Sequence, residues 1–324
     1  MVEFSINLRL LAADNNHSAL SRSNEEFILH QRRYLLEMLD TIGSGRKPSP
    51  MSDTVVEMYD ENIEIDGSRV VALPLLRCIN ETSAALDFLF PGGFNVDLMH
   101  TRAILCATNV QVDEWNSIIQ DMNRNPLHVL PSVDTVKQID DPHGHLQRMI
   151  NESVLERFQK SGVPHHRLSL KENDICLVMR NLNKKEGLTT NTRVKILKIS
   201  PYVIRVCTLN PDTRKYFNIP RIKFTVTLPF GRSIAMQRVQ FPLRLAYAMT
   251  YNKSQGQEFS FVVCDIRKEP FTHGHLYVAL SRIRIAANIR IFTDSKQANS
   301  RDDDELLYSG AIVTNVVYAK LKLR

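Results

Sequence analysis

Cysteine is scarce in this chain, and none of it is closely paired in sequence. The five cysteines (Cys78, Cys106, Cys176, Cys207 and Cys264) are far apart and form no C-x-x-C motif. A zinc site or a disulfide framework is therefore disfavoured, since both need thiols at characteristic spacings. The scarcity fits a reducing compartment, and we expect no bound structural metal.

Long apolar runs are also absent. Apolar residues make up 43% of the chain, an ordinary value for a globular protein. No uninterrupted apolar run approaches the roughly 20 residues that span a bilayer, and the first residues lack the pattern of a signal peptide. We therefore expect no membrane partner.

A phosphate-binding loop is the most informative absence. The sequence has no G-x-x-x-x-G-K-[ST] motif and no apolar strand ending in paired acidic residues. Many ATPases hold nucleotide and Mg²⁺ with these two elements. The run from Gly43 to Lys47 is glycine-rich and basic, but its spacing is wrong and no strand precedes it. We interpret it as the end of a helix.

Positive charge is concentrated in one part of the chain. Between Lys160 and Met249 there are 17 lysines or arginines and four aspartates or glutamates. The net charge of the whole chain is only +6, so the remainder is acidic overall. Such a local excess is typical of a face that binds a polyanion, and a well-solvated basic surface is the alternative.

Apolar periodicity predicts a mixed α/β chain with an all-β insertion. Apolar runs predict buried strands at 102–107, 259–264 and 288–293, and helical patterns are centred on 27–39, 75–90 and 112–122. The pattern then changes to five short strands, at 174–179, 192–199, 203–208, 217–220 and 222–228. We predict a small β-barrel of residues 166–243 inserted into an α/β domain formed by residues 1–165 and 244–324.

Two polar motifs lie on either side of the apolar run at 259–264. The first is the turn from Thr250 to Gln257, which contains Lys-Ser-Gln-Gly at 253–256. The second is Tyr-Val-Ala-Leu-Ser-Arg, from Tyr277 to Arg282. Either motif alone is weak evidence, but the two together, with a strand-like run between them, are specific.

These segments resemble motifs V and VI of superfamily 1B DNA helicases, most closely the petite-integration-frequency helicases and the helicases of Helitron transposons. Other segments match the same family: Arg9 in motif IV, Asn109 at a strand end, and barrel segments at 168–171, 176–181, 187–193, 219–222 and 240–242. The resemblance covers nearly all of this chain but only the second half of a complete helicase. It implies a second RecA-like domain with an inserted small β-barrel.

Two positions depart from the family pattern. Asn191 stands where the family has a glycine, and asparagine tolerates a left-handed backbone better than other non-glycine residues. We expect the turn to survive there, whereas a close backbone approach to DNA is in doubt. Asn252 stands where histidine is common, although Helitron-type members have asparagine, which places the chain near that branch.

The resemblance implies a role for each matching residue. Arginine carries a permanent charge that can stabilise a transferring phosphoryl group, and the alternative for each arginine is an ion pair at a domain edge. The implied roles are γ-phosphate contacts for Arg9 and Arg282, the nucleotide cleft for Gln255, Gly256 and Gln257, and DNA contacts for Thr250, Asn252, Lys253, Ser254, Asn109, Arg180 and Arg193. An ordinary connecting loop is the alternative for the turn at 250–257.

The family uses ATP and Mg²⁺ to unwind DNA in the 5′-to-3′ direction, in repair, recombination, telomere maintenance or Helitron transposition. We expect neither cofactor to bind tightly to this chain alone, because the phosphate-binding motifs are absent. The expected partners are single-stranded DNA and a first RecA-like domain. The expected location is nuclear, with a mitochondrial or viral setting as alternatives.

Two other interpretations remain open. The chain could be a non-enzymatic module that binds single-stranded DNA, or a domesticated transposon remnant. It could also be a decayed or incorrectly delimited reading frame. Salt-dependent DNA binding without any nucleotide dependence would favour the binding module.

Overall fold

The computed structural model describes residues 22–44, 64–65, 68–73, 77–138, 152–228, 234–268, 270–272, 274–294 and 311–315. The chain forms two compact units, one comprising Met1–Trp115 with Ala248–Arg324 and the other Asn116–Tyr247. Arg9 lies outside the described residues. No helix among the described residues is both long enough and apolar enough to cross a membrane.

The helices and strands alternate in the first unit, and strands dominate the second. The helices are α1 (Arg22–Ser44), α2 (Thr82–Leu89), α3 (Asn109–Met122), α4 (Glu152–Arg157) and α5 (His275–Leu280). The strands are β1 (Glu64–Ile65), β2 (Ser68–Leu73), β3 (Arg77–Ile79), β4 (Arg102–Cys106), β5 (Leu127–Pro131), β6 (Val133–Gln138), β7 (Arg167–Lys171), β8 (Ile175–Val178), β9 (Arg193–Ile199), β10 (Val203–Thr208), β11 (Tyr216–Pro220), β12 (Ile222–Thr227), β13 (Ile234–Gln240), β14 (Leu243–Leu245), β15 (Ala248–Thr250), β16 (Phe261–Asp265), β17 (Ile289–Phe292) and β18 (Ala311–Asn315). Short 3₁₀ helices occupy Val96–His100, Tyr251–Ser254 and Ala286–Asn288.

The first unit is built on a five-stranded parallel sheet in the order β15-β4-β16-β17-β3. Its central strands β4 and β16 are buried along almost their whole length, as expected of strands covered on both faces. The predicted strands at 102–107, 259–264 and 288–293 are confirmed. A mixed α/β fold with a parallel sheet is therefore confirmed for this unit. A separate antiparallel sheet has the order β1-β2-β18.

The predicted helix at 75–90 is only half correct. Its first part is strand β3, which pairs with β17, and helix α2 begins at Thr82. A short apolar run cannot distinguish a buried strand from a helix by periodicity. Here the pairing of β3 with β17 identifies the segment as a strand.

Helix α1 packs through one apolar face and ends where the glycines predict. Tyr34, Leu35, Met38, Leu39 and Ile42 are buried at the spacing of successive helical turns. A Cβ at Gly43 would lie 3.0 Å from a ring carbon of Tyr277. The glycine therefore allows α1 to approach α5 closely.

The second unit contains three antiparallel sheets, with the orders β11-β10-β9-β8-β14, β12-β13-β6 and β5-β7. Strands β8 to β12 correspond to the five predicted strands. Asn191 has a φ of +68°, so the expected left-handed turn is present without the glycine. Apolar side chains from β7 to β11 and β14 form the core of the unit.

The insertion differs from the prediction in its start and in its closure. The second unit starts at Asn116 rather than at residue 166, because β5 and β6 pair with β7 and β13. The pairings among the described residues form three open sheets rather than one closed barrel. The structure thus shows an insertion dominated by strands, in which the described residues form no continuous ring of strand hydrogen bonds.

A buried arginine joins several segments of the second unit. Arg238 on β13 donates from Nε and Nη2 to the carboxylate of Asp134, at 3.0 and 2.8 Å. Its guanidinium also donates to the carbonyl oxygens of Leu155, Phe158 and Pro164. Arg238 and Asp134 are both buried, so the ion pair holds β6, β13 and the segment around α4 together.

The cysteines are interior residues. Cys106, Cys176, Cys207 and Cys264 are buried, Cys78 is half-buried, and all five are free thiols. Burial raises the thiol pKa of Cys106 and of Cys176 well above the ordinary value for cysteine. It raises the thiol pKa of Cys264 to about 12. These three thiols are therefore protonated at neutral pH.

Candidate nucleic-acid interface

The carboxyl ends of the parallel strands bring the predicted site residues of the first unit to one edge. Strands β4, β15 and β16 end at Cys106, Thr250 and Asp265, and they are paired in parallel. In open α/β sheets this edge is where ligands bind. Asn109 follows β4 and the polar turn follows β15, so the sheet places both near this edge.

The turn after β15 is held from inside by two buried residues. Tyr251 donates its hydroxyl to the carbonyl oxygen of Asp265 at 2.9 Å, which ties the turn to the end of β16. Ser254 is 0% exposed, and its hydroxyl donates to the carbonyl oxygen of Tyr251 at 2.7 Å. The Ser254 hydroxyl therefore holds the turn together, and the predicted contact of Ser254 with DNA stays a prediction.

The outer side of the turn remains polar and accessible. Asn252, Gln255 and Gly256 are exposed, and Thr250 and Lys253 are half-buried. These residues retain the predicted positions for contacts with a phosphate backbone or a nucleotide. Asn109, the first residue of α3, is exposed as well.

Gly256 and Gln257 shape the turn. Gly256 has a φ of +81°, and no atom lies within 4 Å of the position a Cβ would take. A glycine at this position is explained by the left-handed backbone conformation and not by close packing. Gln257 donates its backbone N–H to Ser254 and its side-chain amide to the carbonyl of Lys253, both at 3.0 Å.

Arg282 lies beside the turn but is largely buried. Its carbonyl oxygen accepts from the backbone N–H of Phe259 at 2.9 Å. The side chain is 8% exposed, and it donates to the carbonyl of Val278 at 2.9 Å and to the hydroxyl of Ser281 at 2.7 Å. The turn and the second motif are neighbours in space, because helix α5 packs against the 3₁₀ helix Tyr251–Ser254, and the guanidinium of Arg282 is held against the end of α5.

Arg267 is a residue of this edge that the sequence motifs did not single out. It donates to the buried carboxylate of Asp265 at 2.7 Å and to Glu114 at 3.0 Å, and its guanidinium lies 4.9 Å from the ring centroid of Phe292. Hydrogen bonds from Arg267 to Asp265 are the largest cause that raises its pKa. Trp115 donates to the same carboxylate at 2.8 Å. The feature of the sequence that could have pointed to this part of the edge is the apolar run that ends on Asp265.

His275 was also missed, and it lies beside the turn. It is 4% exposed, and its ring packs edge-on against Tyr251 and Phe271. Neither ring nitrogen has a hydrogen-bond partner among the described residues. Burial lowers its pKa below the usual 6.5, because a charged imidazolium would be poorly solvated there.

We expect the first unit to lose stability in mild acid through His275. Below pH 6.5 the unfolded chain binds a proton that the folded state resists, so stability falls as the pH drops towards the lowered folded pKa. Urea unfolding between pH 7.5 and 5.5, followed by the fluorescence of the single tryptophan, measures this loss. His275→Gln should show a smaller loss. The exposed His30→Gln should behave like the wild type, and equal pH dependence of all three proteins would contradict the expectation.

The two predicted DNA contacts of the second unit differ in exposure. Arg180 is exposed, with its guanidinium 4.9 Å from the ring centroid of Phe224, so it retains a surface position. Arg193 is 7% exposed and donates to the carbonyl oxygen of Ala246 at 3.1 Å. Burial lowers its pKa to about 9. The guanidinium of Arg193 points into the protein, and its predicted contact with DNA stays a prediction.

Comparison with known proteins shows which helicases this chain resembles. Residues 245–289, which contain both motifs, match the UvrD-like helicase C-terminal domain. The ATP-dependent DNA helicase Pif1 of Campylobacter jejuni is 47% identical over 67 residues, and that of Bdellovibrio bacteriovorus is 33% identical over 144 residues. The segment that carries both motifs is thus similar to the C-terminal domain of UvrD-like helicases and to Pif1 helicases.

The likeness to Pif1 extends to the fold but not to full length. The two matches cover 21% and 44% of this chain, and 15% and 31% of those relatives. The crystal structure of Pif1 from Candida albicans is similar with a TM-score of 0.51 and 23% identity, over 80% of this chain and 53% of that one. The α/β unit therefore has the RecA-like fold of Pif1 helicases, and the chain spans about half of that protein.

The described residues fit only part of an ATP site. Exposed Gln255 and Gly256 present amide groups at the edge of the sheet, where an anion would find hydrogen-bond donors. In the part of the chain that the structure describes, no group of three histidines, cysteines or carboxylates could hold a metal ion. Amide groups of this kind can donate to a phosphate oxygen.

Proposed function

We propose that this chain provides the second motor domain of an ATP-dependent, 5′-to-3′ DNA helicase of the Pif1 type. The observation that supports this is the meeting of the turn at 250–257 with the segment ending at Arg282, at the carboxyl edge of a parallel sheet. In two-domain motors such an edge faces the nucleotide and the partner domain. The proposal includes a nuclear location and roles in repair, recombination, telomere maintenance or Helitron transposition.

The polar side of the turn would hold a single strand of DNA. Asn252 and Lys253 offer an amide and an ammonium group to phosphate oxygens, contacts that give affinity without reading the bases. Tyr251 and Ser254 keep the turn in shape from inside, so little ordering is needed when the strand binds. Asn109 adds an exposed amide after the neighbouring strand.

Arg282 and the turn would act on ATP held mainly by a first domain. Bound MgATP supplies the transferable phosphoryl group and the metal that neutralises its charge. Gln255 and Gly256 would orient the outer phosphate, and Arg282 would stabilise developing charge after its guanidinium turns from Val278. Because this chain has no phosphate-binding lysine motif, the isolated chain should not hydrolyse ATP.

The test compares nucleotide turnover with DNA binding by the isolated chain. We expect no ATP hydrolysis above background with oligo(dT) and Mg²⁺, together with salt-dependent binding of the same strand. Lys253→Ala should weaken binding by about 1 kcal/mol, roughly fivefold, and reduce the salt slope by about one. The exposed Arg33→Ala on α1 is the charge-matched control.

Two results would contradict the proposal. Robust turnover by the isolated chain would show that it needs no first domain. Equal binding by Lys253→Ala and Arg33→Ala would remove the turn from the DNA site.

A binding module without enzymatic activity is the second candidate, and the basic second unit favours it. In that case adding a separately produced Pif1-type first domain would restore no ATPase activity. In the leading proposal, the first domain restores DNA-stimulated turnover, and Arg282→Ala abolishes it.

A further inference from the structure

The outer face of strands β9, β10 and β11 in the second unit has no role in the sites described so far. Its opposite face is apolar: Ile196, Ile204, Val206 and Ile219 are buried in the core of the unit. The strand order places β11 at the edge of this sheet. On the face that points away from the core, Lys198, Arg205, Tyr216 and Asn218 are exposed, whereas Cys207 on the same face is buried.

Basic and aromatic residues occupy the middle of this face. Arg205 on β10 is paired across the sheet with Lys198 on one side and Asn218 on the other, and all three are exposed. Tyr216 on β11 is 58% exposed, and the guanidinium of Arg205 lies 5.8 Å from its ring centroid. The sheet therefore presents two positive charges in a row beside an aromatic ring.

A second tyrosine stands at one end of the face. Tyr202, at the tip of the hairpin between β9 and β10, is 82% exposed. The tip is fixed because Arg221 donates to the carbonyl oxygen of Pro201 at 3.2 Å. Val203 and Pro220 are paired and exposed beside it. A second exposed aromatic ring thus lies at the tip of the hairpin, next to the first residue of β10.

The charge of this surface is of one sign. Strands β9, β10 and β11 contain no aspartate or glutamate, and Asp212 is the single acidic residue between Arg193 and Leu228. A basic face favours a polyanion, and an exposed tyrosine ring offers a flat surface on which a base can stack. Nucleic acid provides both a flat ring and a negative charge at every residue.

We propose that this face, defined by Lys198, Arg205 and Tyr216, is a stacking platform for single-stranded nucleic acid. A base stacks on Tyr216, and Arg205 and Lys198 hold the neighbouring phosphates. Single strands fit better than duplexes, since their bases are free to leave their neighbours and stack on protein rings. The proposal extends the proposed function and rests on it for the class of partner, but its residues belong to the second unit.

The platform can be tested by fluorescence anisotropy with a labelled oligo(dT) strand. Tyr216→Leu keeps an apolar side chain but removes the stacking ring, and it should weaken binding about 5- to 100-fold. Tyr216→Phe should bind like the wild type, because the ring is retained. Arg205→Gln should weaken binding and lower its salt dependence, whereas the exposed Lys223→Gln on β12 is the charge-matched control.

Two further probes separate stacking from general charge attraction. Binding of an abasic strand should be the same for Tyr216→Leu and for the wild type, because no base remains to stack. A blunt duplex should also bind both proteins equally. Equal oligo(dT) affinity of Tyr216→Leu and the wild type, or an equal loss on all three probes, would overturn the platform.

The variants distinguish failure of the stacking platform from failure of the proposed DNA site at the turn. If Lys253→Ala binds normally and Tyr216→Leu does not, the platform stands and the turn is not a DNA site. If Lys253→Ala is weakened and Tyr216→Leu is not, the platform fails and the turn stands. Thermal unfolding of each variant confirms that these exposed substitutions leave the fold intact.

Discussion

Replacing Arg238 with methionine is expected to lower the free energy of unfolding of the second unit by about 3–5 kcal/mol. The substitution leaves the buried carboxylate of Asp134 without its positive partner. It also removes the donors to the carbonyl oxygens of Leu155, Phe158 and Pro164. Hydrogen exchange of the amides of β13 measures the loss within this unit.

The cause can be separated from a simple loss of packing. The double variant Asp134→Leu with Arg238→Met removes both charges, so it should lose less stability than the sum of the single variants. Exposed Lys223→Met on the neighbouring strand β12 should change stability by less than about 0.5 kcal/mol. A loss of under about 1 kcal/mol for Arg238→Met would show that the ion pair does not hold the unit together.

Replacing Asp265 with leucine is expected to destabilise the first unit by about 2–4 kcal/mol. Leucine keeps the branching of the side chain, but the buried N–H of Trp115 loses its acceptor and Arg267 loses its nearer carboxylate. Trp115 is the single tryptophan of the chain, and it contacts the substituted position directly. Urea unfolding followed by its fluorescence therefore reports on the surroundings of the substituted residue.

Glu114→Gln is the matched control for Asp265→Leu. Glu114 binds the same guanidinium from the exposed side, at 3.0 Å. An exposed ion pair contributes at most about 1 kcal/mol, so the control should lose much less stability. Equal losses for the two variants would indicate that burial does not distinguish the two carboxylates.

Local patterns were sufficient to predict the elements whose burial is uniform. The run at 102–107 is apolar throughout, and β4 is buried in the centre of the parallel sheet. The predicted strand at 203–208 has the same bounds as β10, and burial alternates from Val203 to Val206 because one face of the strand is in the core. Asn191 was correctly expected to adopt a left-handed backbone, a property of the residue type itself.

Pairings between distant residues were not predictable in the same way. Strand β6 lies in a stretch without clear periodicity, and it is defined by its pairing of Val133 with Val239 on β13. The short strand β3 was taken as part of a helix, since only β17 identifies it as a strand. Both errors arise because the decisive partner is remote in sequence.

In the candidate site, too, local patterns predicted some features, and others depend on residues that are remote in sequence. The sequence motifs identified the turn and Arg282, and the structure brings them together through Phe259. The inward direction of the Ser254 hydroxyl and the burial of Arg193 depend on tertiary packing, so residue type alone suggested surface contacts for both. Arg267 was missed because its significance comes from Asp265 and Glu114, which are contributed by different elements.

The buried thiols give this protein a practical advantage for spectroscopic labelling. Maleimide dyes react with accessible thiolates, and Cys106, Cys176 and Cys264 are both shielded and protonated at neutral pH. Cys207 is shielded as well, which leaves half-buried Cys78 as the native thiol to replace. A dye placed through Asn252→Cys or Asn218→Cys would then report separately on the turn and on the stacking platform as a strand of DNA arrives.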